Sequence, residues 1–250
     1  VETARLKSFD YYQRNITPTV AENVAIVEID EMSLDKHGQW PWPRDLIADS
    51  VIKAYENGAA LVVLPILFSE PDRMGHDEYF KEIISQAPVV LGQSASTKGK
   101  GTPVPRGFVV IGEDLSPFTF NYEAAIGPIE QLGNSAAGVG MMTTTPELDG
   151  VVRRMPLIIQ TDGNYYPTLS LEVLRLFGGR DSYQVKTDEL GIESVRIYGL
   201  EPVITDSNSR IWLNFKYDFP TISFTEEDWS NTVQDKIVIL SPTAEGLTNT

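Results

Sequence analysis

The sequence of 250 residues contains no cysteine. Disulfide bonds, cysteine nucleophiles and thiolate metal ligands are therefore excluded, and the redox compartment is left undetermined. Histidine is almost as rare. His37 and His76 are the only two, and neither has a spacing to the other, or to a carboxylate pattern, that is typical of a metal site. We therefore expect no bound metal ion.

Motifs for nucleophilic catalysis and for nucleotide binding are also lacking. The sequence has no Gly-x-Ser-x-Gly elbow, and no Gly-x-Gly-x-x-Gly or Walker loop follows a predicted strand. Neither histidine has an orienting acid placed by a recognisable motif. These absences predict that the chain has no catalytic residues and no cofactor.

Long apolar runs and positive charge are scarce. The longest apolar run, residues 59–68, is shorter than the ~20 residues that cross a bilayer. Only 20 basic residues stand against 35 acidic ones, which gives a net charge of −15. Such a surface repels phosphates and anionic headgroups, so we expect neither a nucleic-acid partner nor peripheral membrane docking. The hydrophobic content of 42% nevertheless supports a folded core.

The first half of the chain alternates predicted strands with predicted helices. Buried β-branched runs at 24–29, 61–68 and 89–91 indicate strands, and apolar residues at helical spacing indicate helices at 45–57 and 77–87. Strands separated by helices in this way are joined by right-handed crossovers in a parallel sheet. The first half therefore predicts a parallel βαβαβ unit.

The second half has a different rhythm, with short strands joined by turns. They are predicted at 151–160, 165–166, 195–198, 203–204, 211–215 and 237–240. We therefore predict a single α/β domain over residues 20–250. Its mixed sheet is parallel in the first half and has antiparallel additions in the second half, with helices on its faces. A stalk-like helix within residues 1–19 precedes it, with Leu6 and Phe9 on one stripe.

The acidic cluster Glu28, Asp30 and Glu31 follows the first predicted strand. In an open α/β sheet, ligands usually bind at the carboxyl ends of strands. Carboxylates there can bind a cation or form an acid/base pair, but Asp30 can also pair with an arginine or cap the next turn. We favour the structural role and expect Asp30 to be largely buried in a salt bridge with Arg44 or Arg153.

The segment Trp40-Pro41-Trp42-Pro43-Arg44 is a stiff apolar platform at the start of the next helix. Its indoles can stack on a ligand while Arg44 holds an anion. A Pro-Trp-Pro segment more often fixes a loop against a core, and we favour that interpretation.

A second polar group lies near the middle of the chain. Asp149 starts a turn, and Arg153 and Arg154 lie in the strand predicted after it. Because neighbouring strand residues point to opposite faces, we expect one arginine to point inward and the other to solvent. Arg153 is the predicted inward partner of Asp30.

The order of several segments resembles the second class of CHASE domains, which are extracellular sensory domains associated with cyclases and histidine kinases. WPWPR (40–44) and LDGVVRR (148–154) are the specific pieces, and IDEMSL (29–34), NYYPTLSLEVLRL (164–176) and KIVILSPTAEGL (236–247) agree in pattern. The resemblance implies a sensory input domain of a bacterial membrane-anchored receptor. Its effector would be a nucleotide cyclase, histidine kinase or Ser/Thr kinase.

The same resemblance implies a location and partners. The chain begins at Val1 without an initiator methionine or a signal peptide. We expect it to be an extracytoplasmic segment between two membrane helices outside this chain, with Val1 and Thr250 at one pole. We also expect a homodimer formed through the amino-terminal helix, whose stripe should pack on a second subunit or on the core, and an unidentified small-molecule or protein signal.

Three positions depart from the pattern of the family. Pro65 stands where an acidic residue is usual, Ser241-Pro242 where glycine is usual, and Thr248-Asn249 where a further acid is usual. A pocket that used carboxylates at these strand ends would lack them in this chain. Pro65 also predicts that its strand is bulged or lies at an edge, because proline cannot donate to a ladder.

Two other functions remain as alternatives. A periplasmic solute-binding protein would need two α/β lobes and a hinge, which the single rhythm does not indicate. A carboxylate-dependent hydrolase based on Asp30 would need a second converging acid and a pocket that excludes water.

Overall fold

A computed structural model describes residues 2–245 and residue 247 of the chain. In that part of the chain the helices are α1 (Glu2–Asn15), α2 (Glu31–His37), α3 (Arg44–Glu56), α4 (Asp77–Gln86), α5 (Glu130–Ser135), α6 (Leu169–Phe177) and α7 (Ser230–Val233). The first nine strands are β1 (Thr19–Val20), β2 (Val24–Ile29), β3 (Leu61–Leu64), β4 (Val89–Ser96), β5 (Phe108–Ile111), β6 (Phe120–Tyr122), β7 (Ala124–Ile126), β8 (Gly138–Met141) and β9 (Arg154–Pro156). The others are β10 (Ile158–Thr161), β11 (Asn164–Pro167), β12 (Tyr183–Asp188), β13 (Gly191–Ile197), β14 (Val203–Ile204), β15 (Arg210–Trp212), β16 (Tyr217–Asp218), β17 (Thr221–Ser223) and β18 (Ile237–Pro242). The expectation about Val1 and Thr250 concerns residues outside the described part.

The largest sheet has the strand order β17-β2-β18-β3-β4-β7, and β8 also pairs with β4. All of its pairs are parallel except β4 with β7. The prediction that β2, β3 and β4 are parallel members of one sheet is therefore confirmed. The last strand, β18, lies between the two earliest ones, since Ile239 faces Ile26 of β2 on one side and Val63 of β3 on the other.

Helices cover both faces of this sheet. Alternate strand residues such as Val62 and Leu64 pack with α3, α4 and α7 in one core. The intervening residues, including Leu61 and Val63, pack under α6 on the other face. Because both faces are buried, the strands are nearly continuous apolar runs, as is usual in parallel sheets. Each such side chain contributes ~1.5–3 kcal/mol when fully buried.

The other strands form smaller sheets. One sheet has the order β14-β13-β12-β5, another β11-β10-β6, and two more are the pairs β15-β9 and β1-β16. The pairs in these sheets are antiparallel except β1-β16, β5-β12 and β6-β10, in which an earlier strand pairs in parallel. A tight turn explains why β10 and β11 pair. Asp162 and Gly163, between β10 and β11, both have positive φ, as a two-residue hairpin turn requires. The predicted α/β class is confirmed, with several mixed sheets in place of one.

Some details differ from the sequence prediction. Strand β12 was not predicted, although its burial alternates from residue to residue. Strand β3 is central and ends at Leu64, so the expected bulge or edge position at Pro65 is wrong. Pro65 follows the last ladder residue, and no ladder hydrogen bond is lost there.

A buried ionic group joins the main sheet to the smaller ones. The carboxylate of Glu172 in α6 is fully buried and accepts from Nε and Nη2 of Arg175 at 2.9 and 2.8 Å, from Nη2 of Arg106 at 3.0 Å, and from the hydroxyl of Tyr183. Burial alone would raise the pKa of Glu172, but these donors and charges outweigh it and lower the pKa. The carboxylate is therefore held in its ionised form with both oxygens occupied.

Replacing Glu172 by Ala should lower the free energy of unfolding by about 3–5 kcal/mol, because two arginines would be left near a buried position without their carboxylate. Urea denaturation followed by circular dichroism measures this loss. The matched control is Glu193→Ala, which removes an exposed pair with Lys186 and should cost at most about 1 kcal/mol. Equal losses in the two variants would show that the buried ionic group stabilises the fold no more than an exposed ion pair does.

Candidate functional site

A cleft of about 910 Å³ lies at the carboxyl edge of the main sheet. Its floor includes Pro65 after β3, Ser94 in β4, Met142 after β8, and Ser241 and Pro242 at the end of β18. This is the edge at which open α/β sheets usually hold ligands, and the volume is in the range of small-molecule sites.

The Trp-Pro-Trp-Pro segment forms one wall of the cleft. Trp42 is buried; its Nε1 donates to the carbonyl of Gly38 at 2.8 Å, and its ring packs on Phe224 with 4.8 Å between centroids. Trp40 is half-buried, and its centroid lies 5.6 Å from that of Trp42. Trp42 therefore anchors the loop to the core, as we favoured, while Trp40 is the indole more open to the cleft.

Arg44 begins α3 and also lines the cleft. Its guanidinium lies over the ring of Phe68 at 4.5 Å, and Nη2 donates to the carbonyl of Glu70 at 3.2 Å. Its acidic neighbour is Asp77, with 3.5 Å between Nε and Oδ1, and not Asp30. Burial lowers the pKa of Arg44, although the charge of Asp77 acts against the shift.

The loop after β3 forms the opposite wall, with Ile66 and Leu67 on its apolar part. Two aspartates stabilise this loop by accepting hydrogen bonds from its backbone. Asp72 accepts from the backbone N–H of His76 at 3.0 Å, and Asp77 accepts from the backbone N–H of Asp72 at 2.7 Å. The wall is therefore braced at its end by side-chain to backbone bonds.

The residues that depart from the family pattern fall at the cleft floor. Pro65, Ser241 and Pro242 all line it, whereas Thr248 and Asn249 lie outside the described residues. In residues 2–245 and 247, no group of three or more His, Asp or Glu side chains is placed to hold a metal ion. The floor thus offers apolar surface and serine hydroxyls, while the acids Glu70 and Asp72 line the cleft from the loop after β3.

Asp30 has a structural position outside this cleft lining. It is the N-cap of α2, where its Oδ1 accepts from the backbone N–H of Ser33 at 2.9 Å and from the Ser33 hydroxyl at 2.6 Å. It is half-buried, and no arginine of residues 2–245 pairs with it, so the predicted salt bridge is wrong. The local cap satisfies the carboxylate, because an N-cap aspartate accepts the free N–H groups of the first turn.

Asp30 is also held as an anion. Burial would raise its pKa, but hydrogen bonds from Ser33 and Ser223 outweigh this effect, and the pKa lies below its ordinary value. A carboxyl group in this state has no proton to donate near neutral pH, so it is poorly suited to general acid catalysis.

Arg153 and Asp149 form a second site, which attaches the amino-terminal helix. Arg153 donates from Nε and Nη2 to both carboxylate oxygens of Asp10 in α1, at 2.6 and 2.8 Å, and from Nη1 to Asp149 at 2.9 Å. Arg153 is buried. The bidentate bond from Arg153 lowers the pKa of Asp10, and the bonds from Asp10 and Asp149 raise that of Arg153.

Arg154 repeats this arrangement one residue later. It donates to both oxygens of Glu147 at 2.7 and 2.8 Å, to Asp206 at 3.2 Å and to Glu2 of α1 at 2.9 Å. Arg154 is buried as well, so the expectation that one arginine faces solvent is wrong. The alternation of strand residues does not apply to the pair, since β9 begins only at Arg154. We refer to Arg153, Arg154 and their carboxylates as the α1 clamp.

Apolar contacts complete the clamp. Leu6 is buried, the ring of Phe9 packs tilted on Trp212 of β15 with 4.4 Å between centroids, and Gln13 donates to the carbonyl of Leu213 at 3.4 Å. The stripe of α1 therefore packs on its own domain. Sequence reasoning missed this partner, because it lies about two hundred residues away from α1 in the chain.

In a comparison with protein families, the model of the CHASE2 domain matches residues 1–250. Comparisons with curated proteins and with solved structures gave no match. Among the described residues, none of the helices combines the length and the apolar character needed to cross a membrane.

The α1 clamp should open at acid pH. The pKa values of Asp10, Asp149 and Glu147 are all lowered, chiefly by hydrogen bonds from Arg153 or Arg154. A lowered native pKa gives stabilisation that is complete above the unfolded-state value of about 4 and is lost as the pH falls through the native value. Hydrogen exchange in α1, corrected for the intrinsic rate, should therefore be slow at neutral pH and accelerate below about pH 4.

The variant Arg153→Gln identifies the cause of this transition. It should accelerate exchange in α1 at neutral pH, whereas Lys7→Gln on the exposed side of the same helix should not. Two results together would contradict a role for the ion pairs. They are equal exchange rates of α1 at neutral and acid pH in the parent, and no acceleration of this exchange in Arg153→Gln.

Proposed function

The chain belongs to the CHASE2 domain family of extracellular sensory domains of signalling proteins, and from this we propose that it is the signal-sensing input domain of a bacterial membrane-anchored receptor. The match over residues 1–250 is the observation that carries the proposal. The effector is a nucleotide cyclase, histidine kinase or Ser/Thr kinase in another part of the receptor, and membrane helices flank this domain.

In this proposal the chain performs no catalysis. The position of Asp30 supports that view, since the carboxylate is used as a helix cap and lies outside the cleft lining. The acids that line the cleft, Glu70 and Asp72, belong to the loop after β3, and Asp30 is not among the lining residues. A hydrolase based on Asp30 therefore has no observation in its favour, and neither has a two-lobed solute-binding protein.

The cleft is the proposed place for the signal. A sensor must bind its signal more tightly in one conformational state than in the other. Trp40 and Arg44 offer an aromatic surface and a cation on the wall formed by the loop before α3. A small organic molecule between this wall and the loop after β3 would bring the two walls together.

The α1 clamp is the proposed output. One continuous segment joins it to the cleft: Met142 lies in the cleft floor, and the chain then passes through Glu147 and Asp149 to Arg153. Thr143 joins the start of this segment to β4, because its hydroxyl accepts from the backbone N–H of Ala95 at 2.7 Å. Movement of Met142 on binding would thus change the position of the carboxylates that hold both arginines.

Location is the part of the proposal that is tested most simply. The chain has no cysteine, so Lys98→Cys places one thiol of this domain on an exposed loop. In the intact receptor, a membrane-impermeant maleimide should label this variant in whole cells, because the loop faces the outside of the cytoplasmic membrane. The parent receptor gives the background of labelling from other segments.

Val62→Cys serves as the matched control, since Val62 is fully buried and its thiol should react only after denaturation. Labelling of Lys98→Cys that appears only after the cytoplasmic membrane is broken would rule out an extracytoplasmic sensor.

A further inference from the structure

Strand β5 is an open edge of the four-stranded sheet. In the described part of the chain it pairs with β12 alone, so its other side has no strand partner. Its side chains Val109, Val110 and Ile111 are 56%, 38% and 47% exposed. Three neighbouring β-branched residues at an unpaired edge form a surface that readily pairs with another strand.

Folded proteins usually protect such an edge with a charged residue, a proline, a bulge or a covering segment. The sequence Phe-Val-Val-Ile of β5 contains no charge and no proline. Its ladder with β12 runs without a register shift. The edge is therefore neutral and regular, which is unusual on a chain with a net charge of −15.

The charges that flank β5 differ in sign. Arg106 precedes the strand, and Glu113 and Asp114 follow it. In an antiparallel pair of two such strands, the amino-terminal flank of one copy lies beside the carboxyl-terminal flank of the other. If a twofold axis passes through Val109 or Val110, Arg106 lies within one position of Glu113 of the second copy.

We propose that a second copy of this chain docks on β5 through antiparallel β5–β5 pairing, which joins two four-stranded sheets into one. Opposite charges then meet at both ends of the pair, and the exposed valines are buried at its centre. Arg106 donates to Glu172 through Nη2, but its side chain remains 35% exposed and accessible to the second copy. This dimer surface does not involve α1, whose stripe packs on its own domain.

The other edge of the same sheet is a poorer candidate. Strand β14 has only two residues, and Glu201 and Asp206 flank it, both acidic. A twofold pair of β14 strands would therefore bring no opposite charges together, and the Asp206 carboxylate already binds Arg154 and Arg210. Pairing of β5 with β14 of another copy would be head-to-tail and would produce open chains instead of a closed dimer.

Sedimentation of the 250-residue chain over a concentration series tests the proposal. The parent should form a dimer, and Val109→Lys and Val110→Lys should each raise the dimer dissociation constant at least tenfold. Ile204→Lys on β14 is the matched control, and it should leave the constant unchanged. Circular dichroism shows whether each variant is folded, and Val109→Lys is the safer of the two because Val109 is more exposed.

Cysteine cross-linking tests the geometry, and the absence of native cysteine makes it unambiguous. Val109→Cys or Val110→Cys, whichever lies at the twofold axis, should form a disulfide-linked dimer under mild oxidation, whereas Ile204→Cys should not. A parent that is monomeric at every concentration would overturn the proposal. So would cross-linking through Ile204→Cys alone, or open-ended oligomers that Ile204→Lys abolishes.

Discussion

Two buried arginines that follow one another in the chain determine how the amino-terminal helix is held. Burying a guanidinium costs several kcal/mol unless carboxylates surround it, and removing one partner of such a group is more costly than the group's net contribution. Arg153 and Arg154 therefore need their acids in place, and α1 supplies two of them, Asp10 and Glu2. The helix is fixed by a requirement for charge compensation, with apolar contacts from Leu6 and Phe9 beside it.

The cleft and the α1 clamp lie on different sheets of the fold. The parallel sheet is a rigid platform whose carboxyl edge forms the cleft, and the antiparallel sheets of the second half carry the clamp. The segment from Met142 to Arg153 connects the two, and the proposed function uses this segment, about a dozen residues long, to link the cleft floor to the carboxylates of the clamp. A sensor requires such a coupling between its signal site and a second site.

The sequence was sufficient where local patterns determine the structure. The β-branched runs of β2 and β3 and the turn between the predicted strands 151–160 and 165–166 were predicted because burial and backbone conformation are encoded within a few residues. Strand β12 was not predicted because its polar residues Gln184 and Lys186 are typical of a loop. Only their alternation with buried residues indicates a strand.

Long-range pairing was the part that the sequence could not supply. Asp30 and Arg153 were predicted to pair because their charges are opposite. The carboxylate of Asp30 instead accepts from the backbone N–H of Ser33, three residues away, and Arg153 binds Asp10, which is 143 residues away in the chain. Many acids compete for each arginine in a chain with 35 acidic residues, and only the topology decides among them. The aromatic segment was easier, because Trp42 and its neighbours are close together in sequence.

In the proposed mechanism the state of the cleft controls the attachment of α1. Hydrogen exchange in α1 tests this after the cleft is filled by Ser241→Trp, with Asp181→Trp on an exposed position outside the cleft as the control. We expect exchange in α1 to change severalfold in Ser241→Trp and to be unaltered in Asp181→Trp. Identical exchange in α1 in both variants and the parent, with the indole shown to occupy the cleft, would contradict it.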